Sequence, residues 1–279
     1  MMRIAVVSYF YPEAIPFVTQ LIDALQRQLD QDFELIVFND GVKDVKQYFQ
    51  IDPIPVSFYE LSGSIASIRI LSLRVLAQLK FDGYVFLDAD DSMSENRVVV
   101  ARELLTKHEV VVNDLTIINE NGHIELPSIW SSRITEGFEV NSFFLNDKNI
   151  VGLGNTSIKR AVASTFLTNR PVMAPDWYIF YQILEKRNLI AIFTSRCQTW
   201  YRQHDSNIAG IRSITKERME KVIKVKQMHF RALEGEGYNF DDELKKTEAC
   251  LKRMEKWHEM KVKVDVNPFW WEETNFIYE

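Results

Sequence analysis

Two spacings of apolar residues alternate along most of the chain. Short runs at 4–8, 33–38, 56–60 and 84–87 have the length and the β-branched or aromatic content of strands. Between them, 16–29 and 65–79 carry apolar residues at helical spacing, with Ile65, Ile68, Leu71, Val75, Leu76 and Leu79 falling on one face. Strands alternating with helices predict an α/β fold: a mostly parallel central sheet with helices on both faces. The pattern continues with helices expected over 98–105 and 176–185, strands over 110–112 and 189–193, and a segment at 155–166 that leads into a helix. Between 114 and 149 the periodicity fades. There Asn119-Glu120-Asn121-Gly122 predicts a hairpin turn and some antiparallel pairing.

The pattern changes after Tyr201-Arg202-Gln203-His204. From 214 to 264 lysine, arginine and glutamate alternate with spaced Val, Met, Leu and Trp, which predicts two helices separated by Glu234-Gly235-Glu236-Gly237. The division expected is a domain over 1–212 and a helical extension over 213–279. The extension reads most plainly as a solvated appendage with one packed face; contact of its basic residues with an anionic membrane surface is the other reading. The tail carries Phe269, Trp270, Trp271, Phe276 and Tyr278, an aromatic density that has to dock on the core, a partner or a lipid interface.

Composition narrows the function classes. A chain of 279 residues with 46% hydrophobic residues buries a large core, and a net charge of −6 gives no general attraction to nucleic acid. No apolar run reaches the roughly 18 residues that span a bilayer, and the first residues read as a strand and not as a signal peptide. Cys197 and Cys250 stand alone, without metal-ligand or disulfide spacing, as in a reducing compartment. The expected location is therefore cytoplasmic, with peripheral contact at the inner face of the membrane left open.

The candidate chemistry begins at Tyr84-Val85-Phe86-Leu87-Asp88-Ala89-Asp90-Asp91. An apolar strand ends in three carboxylates, which resist burial and repel one another unless a cation or hydrogen-bond donors offset them. In open α/β sheets, strand C-terminal ends are where ligands bind. The plain alternative is a solvated turn capping the next helix. Further on stand Pro175-Asp176-Trp177 and Tyr201-Arg202-Gln203-His204-Asp205-Ser206-Asn207.

In this order, the strand ending in Ser8-Tyr9, the strand ending in Asn39-Asp40-Gly41, the Asp-x-Asp segment, Asp176 and the Tyr-Arg-x-His-x-x-Asn segment resemble the GT-A glycosyltransferases of family 2. These are inverting enzymes with a Rossmann-like nucleotide-diphospho-sugar transferase fold, and the last segment is similar to that of rhamnosyltransferase-type bacterial members. The resemblance spans roughly 3–212. It implies a donor linked to UDP, GDP or dTDP, a divalent metal (Mn²⁺ or Mg²⁺), and a glycan or lipid-linked acceptor in surface polysaccharide synthesis. It implies that Ser8, Tyr9 and Asp40 hold the nucleotide base and that Asp88 binds the ribose. Asp90 would bind the metal, with His204 closing over metal or diphosphate and Arg202 pairing with phosphate. Arg69 stands where the family has an Arg-Asn pair, with Ile70 in place of the asparagine. Asp176 would be the general base, with Pro175 where the family has a glutamate. The segment Gly152-Leu153-Gly154-Asn155-Thr156-Ser157 and Trp177 would face the acceptor, Asn155 and Thr156 included. The residue types leave other roles open: Asp40 as a turn residue, Asp176 as a helix cap, Trp177 as core, His204 as an exposed loop residue. Homodimerisation is also open.

Two further readings compete. The Asp-x-Asp also resembles that of haloacid dehalogenase-type phosphatases, in which Asp88 would be the nucleophile. A non-catalytic nucleotide-sugar-binding module would share the fold without the reaction.

Overall fold

The computed structural model describes residues 2–203, 215–255, 257 and 269–277. Strand β1 (Ile4–Phe10) is buried at every position. Its side chains alternate between two cores: Ala5, Val7 and Tyr9 on one face of the sheet, Ile4, Val6 and Phe10 on the other. Helix α1 (Val18–Gln26) and strands β2 (Phe33–Asn39) and β3 (Val56–Glu60) follow. Helix α2 (Ile65–Gln78) is capped by Ser64, whose side chain accepts from the Ser67 N–H. Next come β4 (Gly83–Phe86), the short β5 (Ser92–Met93) and α3 (Arg97–Leu105). Leu21 and Leu25 of α1 and Val98 and Leu105 of α3 cover one face, and Ile68, Leu73 and Leu76 of α2 cover the other.

The chain continues through β6 (Val110–Ile118), β7 (Ile124–Leu126), β8 (Glu139–Val140), β9 (Thr156–Lys159), a short α4 (Arg160–Ala163), α5 (Pro175–Arg187) and β10 (Ala191–Arg202). Among the described residues these strands form a single sheet in the order β3-β2-β1-β4-β9-β6-β10-β5, with β7 on β6 and β8 on β10. The stretch β3-β2-β1-β4 and the pair β6-β10 are parallel, and β9 joins them antiparallel to both β4 and β6. The hairpin expected at 119–122 is present: the Asn119 side chain accepts from the N–H groups of Asn121 and His123, and Gly122 takes φ +83°.

Two strands run well past the sequence expectation, for physical reasons. Strand β6 continues through Asn113, Asp114 and Thr116, polar residues that break the apolar run yet are buried and bonded. The Asp114 carboxylate accepts from the N–H groups of Leu115, Trp130 and Ser131, and burial raises its pKa against those bonds. Strand β10 is interrupted by a register shift between Thr194 and Gln198. At that bulge Glu136 accepts from Thr194 Oγ1 and the Ser195 N–H, so the apolar pattern lapses while the strand goes on.

Helices α6 (Lys216–Glu234) and α7 (Asp241–Met254) match the two expected beyond 213. Val222, Val225, Phe230 and Leu233 of α6 join the core shared by α2 and α5, so one face of the extension is packed on the sheet domain. The tail docks there too, with Phe269, Trp270 and Trp271 at 4%, 7% and 3% exposure. Lys226 of α6 donates to Thr274 Oγ1 at 2.6 Å. Burial lowers the Lys226 pKa to about 8, against the opposing fields of Asp147 and Glu273. No helix among the described residues is long and apolar enough to cross a membrane.

Candidate active site

Beyond the C-terminal ends of β1, β2 and β4 lies a cavity of about 720 Å³, within the usual range of small-molecule sites. Residues from distant parts of the sequence line it: Tyr9, Asp40, Arg69, Asp88, Asp90, Asn155, Asp176 and Trp177. These are eight of the residues singled out from the sequence.

The acids stand where β4 stops. Asp88 Oδ1 accepts from Arg69 Nη2 at 2.6 Å, and the Arg69 guanidinium lies 3.7 Å from the centre of the Tyr9 ring. Burial disfavours the Arg69 charge, but the nearby Asp88 and Asp176 outweigh it and raise its pKa. The Tyr9 hydroxyl pairs with Ser72 Oγ at 2.6 Å, and burial pushes its pKa to about 12. Asp91 points inward at 1% exposure and accepts the Arg202 N–H at 2.8 Å through Oδ1, while its Oδ2 is buried without a hydrogen-bond partner. Desolvation first, and then mutual repulsion with Asp90, raises the pKa of both Asp88 and Asp91, with Arg69 opposing the rise at Asp88. The Tyr11 hydroxyl bonds to Asp90, and burial beside the three acids raises its pKa.

Asp176 reaches the same cavity from the first turn of α5, behind Pro175 and the cap residue Ala174. It is therefore not the cap; an acid in the first turn complements the helix dipole. Its Oδ2 accepts the Leu153 N–H at 2.8 Å, and its Oδ1 is without a hydrogen-bond partner. The loop that supplies Leu153 lies between Asp176 and the acidic turn. A Cβ on Gly154 would sit 2.8 Å from Asp88 Oδ2 and 3.4 Å from Asp91 Oδ2, and one on Gly152 would sit 3.7 Å from Asp176 Oδ2. Glycine at 152 and 154 thus permits the close approach of this loop to the acids.

Other sequence candidates take different places. Ser8 is fully buried on β1, and Thr156 is fully buried on β9; neither lines the cavity. Asn155 lines it but spends its amide on the loop, donating to the carbonyls of Asn113 and Ile150 and accepting from the Gly152 N–H. Trp177 is fully buried, donates to the Leu145 carbonyl at 2.7 Å and stacks on His229 of α6 at 3.7 Å, a core arrangement rather than an open sugar platform. Arg202 does not face the cavity. Its guanidinium ties loops together, bonding the carbonyls of Asp90, Asn119 and Glu120 and the Gln20 side chain, with Phe17 beneath it. The expectation that Arg202 pairs with phosphate gives way to this: its donors hold the acidic turn in place. His204 lies outside the described residues.

The sequence reading missed Tyr11, and it gave Trp270 and Trp271 no place at the site, although all three line the cavity. Position two residues beyond Tyr9 was a signal for the first, and the aromatic density of the tail was a signal for the others.

Among the described residues no three carboxylate, imidazole or thiolate side chains form a ready-made metal cage. The donor set nevertheless suits a hard divalent cation that shares its coordination with a ligand's phosphate oxygens, because such ions commonly take only one or two protein carboxylates. The orphaned Asp91 Oδ2 and the mutual repulsion of Asp88, Asp90 and Asp91 mark a deficit of positive charge that such an ion offsets. Asp90 would hold it, with Asp88 alongside.

No protein-family model matches the sequence, and no curated protein matches it. Solved structures do match in fold. S. aureus TarS 1–349 in complex with UDP-GlcNAc aligns with a TM-score of 0.55 at 15% identity, over 82% of this chain and 66% of that one. The same protein in complex with UDP gives 0.54 at 15% identity, over 82% and 65%. The mannosyltransferase PcManGT from Pyrobaculum calidifontis in complex with GDP-Man and Mn²⁺ gives 0.53 at 16% identity, over 83% and 64%. The chain spans just under two thirds of the length of these structures. The likeness is one of fold, and the fold is that of the GT-A glycosyltransferases.

Proposed function

We propose that the protein is a metal-dependent inverting glycosyltransferase, moving a sugar from a nucleoside diphosphate donor to a hydroxyl of a glycan or lipid-linked acceptor in surface polysaccharide synthesis. The observation that carries this reading is the convergence of Asp88, Asp90 and Asp176 on one cavity. Structures of the same fold hold UDP-GlcNAc, UDP, or GDP-Man with Mn²⁺, which supports a nucleotide-sugar donor here.

Placement supports the following roles. Tyr9 and Asp40, at the ends of β1 and β2, face the nucleotide; a carboxylate can accept a base N–H. Asp88, locked by Arg69, is set for the ribose. Bound at Asp90 and the diphosphate, the metal would neutralise charge on the departing nucleoside diphosphate. Asp176 Oδ1, buried and without a hydrogen-bond partner, is the proton acceptor for the attacking hydroxyl. The acceptor oxygen bonds to the anomeric carbon, the bond from that carbon to the diphosphate oxygen breaks on the opposite side, and the hydroxyl proton passes to Asp176. A phosphatase reading would make Asp88 a free nucleophile; its Oδ1 is paired with Arg69, a contact that suits a fixed acceptor for a ribose hydroxyl better.

Thermal shift with a panel of nucleotide sugars and Mn²⁺ tests the reading. One donor should raise the melting temperature in a concentration-dependent way, as ligands that bind only the folded state do. Asp90→Ala should remove the Mn²⁺-dependent part of that rise and weaken donor binding at least about tenfold. A shift unaffected by both Mn²⁺ and Asp90→Ala would remove the metal from the account.

A further inference from the structure

The chain is acidic as a whole, with 39 Asp and Glu against 33 Lys and Arg, yet two long stretches of it contain no acid. One runs from 61 to 81 and carries Arg69, Arg74 and Lys80; the other runs from 148 to 175 and carries Lys148, Lys159, Arg160 and Arg170. The fold brings them together. The first stretch contains α2, the second contains α4 and the loop that leads from it to α5, and α2 lies against both α4 and α5.

Cations from three helices gather on that loop. Arg74 of α2 donates from Nη2 to the Leu167 carbonyl at 3.2 Å, and Arg187 at the end of α5 donates to the Ala161 carbonyl. Lys186 Nζ donates to the Phe166 carbonyl at 3.4 Å and lies 5.9 Å from the centre of its ring. Arg160 is exposed at the start of α4. Phe166 stands among them at 74% exposure. The carboxylate that answers this group is Glu236, shared between Arg170 at 2.8 Å and Lys186 at 3.8 Å. Asp82, at the border, turns its own carboxylate to the Arg3 N–H. Among the described residues Arg74, Arg160 and Arg187 have no carboxylate partner.

This face reaches the mouth of the cavity. Asn169 Nδ2 donates to Ser67 Oγ at 3.0 Å, which ties the loop to the first turn of α2, and the loop then delivers Met173 and Ala174 to the cavity wall. Ile65, in the same turn of α2, lines the cavity and is itself 52% exposed. Exposed apolar side chains set among cations match a surface with an anionic exterior and an apolar interior. A single-stranded nucleic acid would also meet cations and an aromatic ring, but Ile65 offers no π face on which a base could stack. The helical extension, whose basic residues suggested membrane contact from sequence, offsets its charges within each helix: Lys216 faces Glu220, Lys245 faces Asp242 and Lys246 faces Glu243.

We propose that the face built by α2, α4 and the loop around Phe166 docks on an anionic lipid membrane, with Phe166 entering the headgroup boundary and Arg74, Arg160, Lys186 and Arg187 meeting lipid phosphates. The docking stands on this face alone. On the glycosyltransferase reading it also narrows the acceptor to the lipid-linked kind, since the docked face sets the cavity mouth at the membrane surface.

Cosedimentation of the full chain with vesicles tests this. The wild type should sediment with mixed phosphatidylglycerol–phosphatidylcholine vesicles and not with pure phosphatidylcholine, and its affinity should fall as salt screens the charges. Phe166→Ser should weaken that binding at least about tenfold with the melting temperature unchanged, because the side chain is exposed. Arg160→Gln should weaken it and flatten its salt dependence, whereas Lys245→Gln with Lys246→Gln on α7 should leave it as in the wild type. No binding of the wild type to mixed vesicles, wild-type binding by both Phe166→Ser and Arg160→Gln, or binding of a single-stranded oligonucleotide in place of the vesicles overturns the proposal. The measurement needs neither donor nor acceptor, so its failure leaves the glycosyltransferase reading standing, and absence of donor binding leaves the docking face standing.

Discussion

Asp176→Asn is expected to lower the rate of sugar transfer by roughly 10²–10⁴-fold, the usual contribution of a positioned general base, while changing donor affinity by less than about threefold. The substitution preserves shape. An asparagine side-chain carbonyl can still accept the Leu153 N–H that Asp176 Oδ2 accepts at 2.8 Å, so the loop need not move. What changes is the atom at Oδ1, where an unpartnered carboxylate oxygen becomes an amide N–H that cannot take a proton. Single-turnover rates with saturating donor, set beside calorimetric donor affinity, separate the two effects. A rate within about threefold of wild type would take the base role away from Asp176.

Gly154→Ala should be nearly as damaging by a different route. The added Cβ would lie 2.8 Å from Asp88 Oδ2, closer than such atoms pack. A free carboxylate would rotate away cheaply, but Asp88 is fixed on its other oxygen by Arg69 at 2.6 Å, and Asp91 Oδ2 waits 3.4 Å away on the same side. Either the Arg69–Asp88 pair opens or the loop backs away and draws Leu153 off Asp176. Overpacking of this kind costs about 1–3 kcal/mol. The melting temperature should fall, and donor affinity should drop at least about tenfold. Combining Gly154→Ala with Asp88→Ala should restore much of the melting temperature without restoring donor binding, a coupling expected only between residues in contact. Additive effects on stability would show that Gly154 does not act through Asp88.

The sequence showed best what periodicity and strand ends encode. Strand β3 and helix α2 fall where the apolar spacing puts them, and the residues at the ends of β1, β2 and β4 face one cavity because parallel strands in one sheet deliver their C-terminal ends to one edge. It showed least where polar residues are buried. Asn113 and Asp114 hide the continuation of β6, and the bulge at Thr194 hides the longer part of β10.

The family resemblance implied a phosphate partner for Arg202. As the last residue of β10 it sits fully buried, with its donors spent on carbonyls of the acidic turn and of the 119–120 turn and on the Gln20 side chain. Trp177 was undecided from sequence because burial by α6 is a long-range event: its partner His229 lies in a helix that the local pattern assigned to an appendage. Burial, with the nearby Lys226, drives the His229 pKa well below the usual histidine value. The tail was legible as aromatic and needing a partner, but only the fold shows that the partner is the cavity wall.

The claim on which the rest depends is that the acids at the end of β4 bind a cation together with a nucleoside diphosphate. Isothermal titration of the wild-type chain with UDP, GDP and dTDP, each with and without Mn²⁺, measures this directly. One nucleotide should bind at least about tenfold more tightly with Mn²⁺ than without it, and Mn²⁺ alone should bind weakly, because the protein carboxylates complete its coordination only with the diphosphate. No binding of any of the three with Mn²⁺ present, or equal affinity with and without it, would contradict the account.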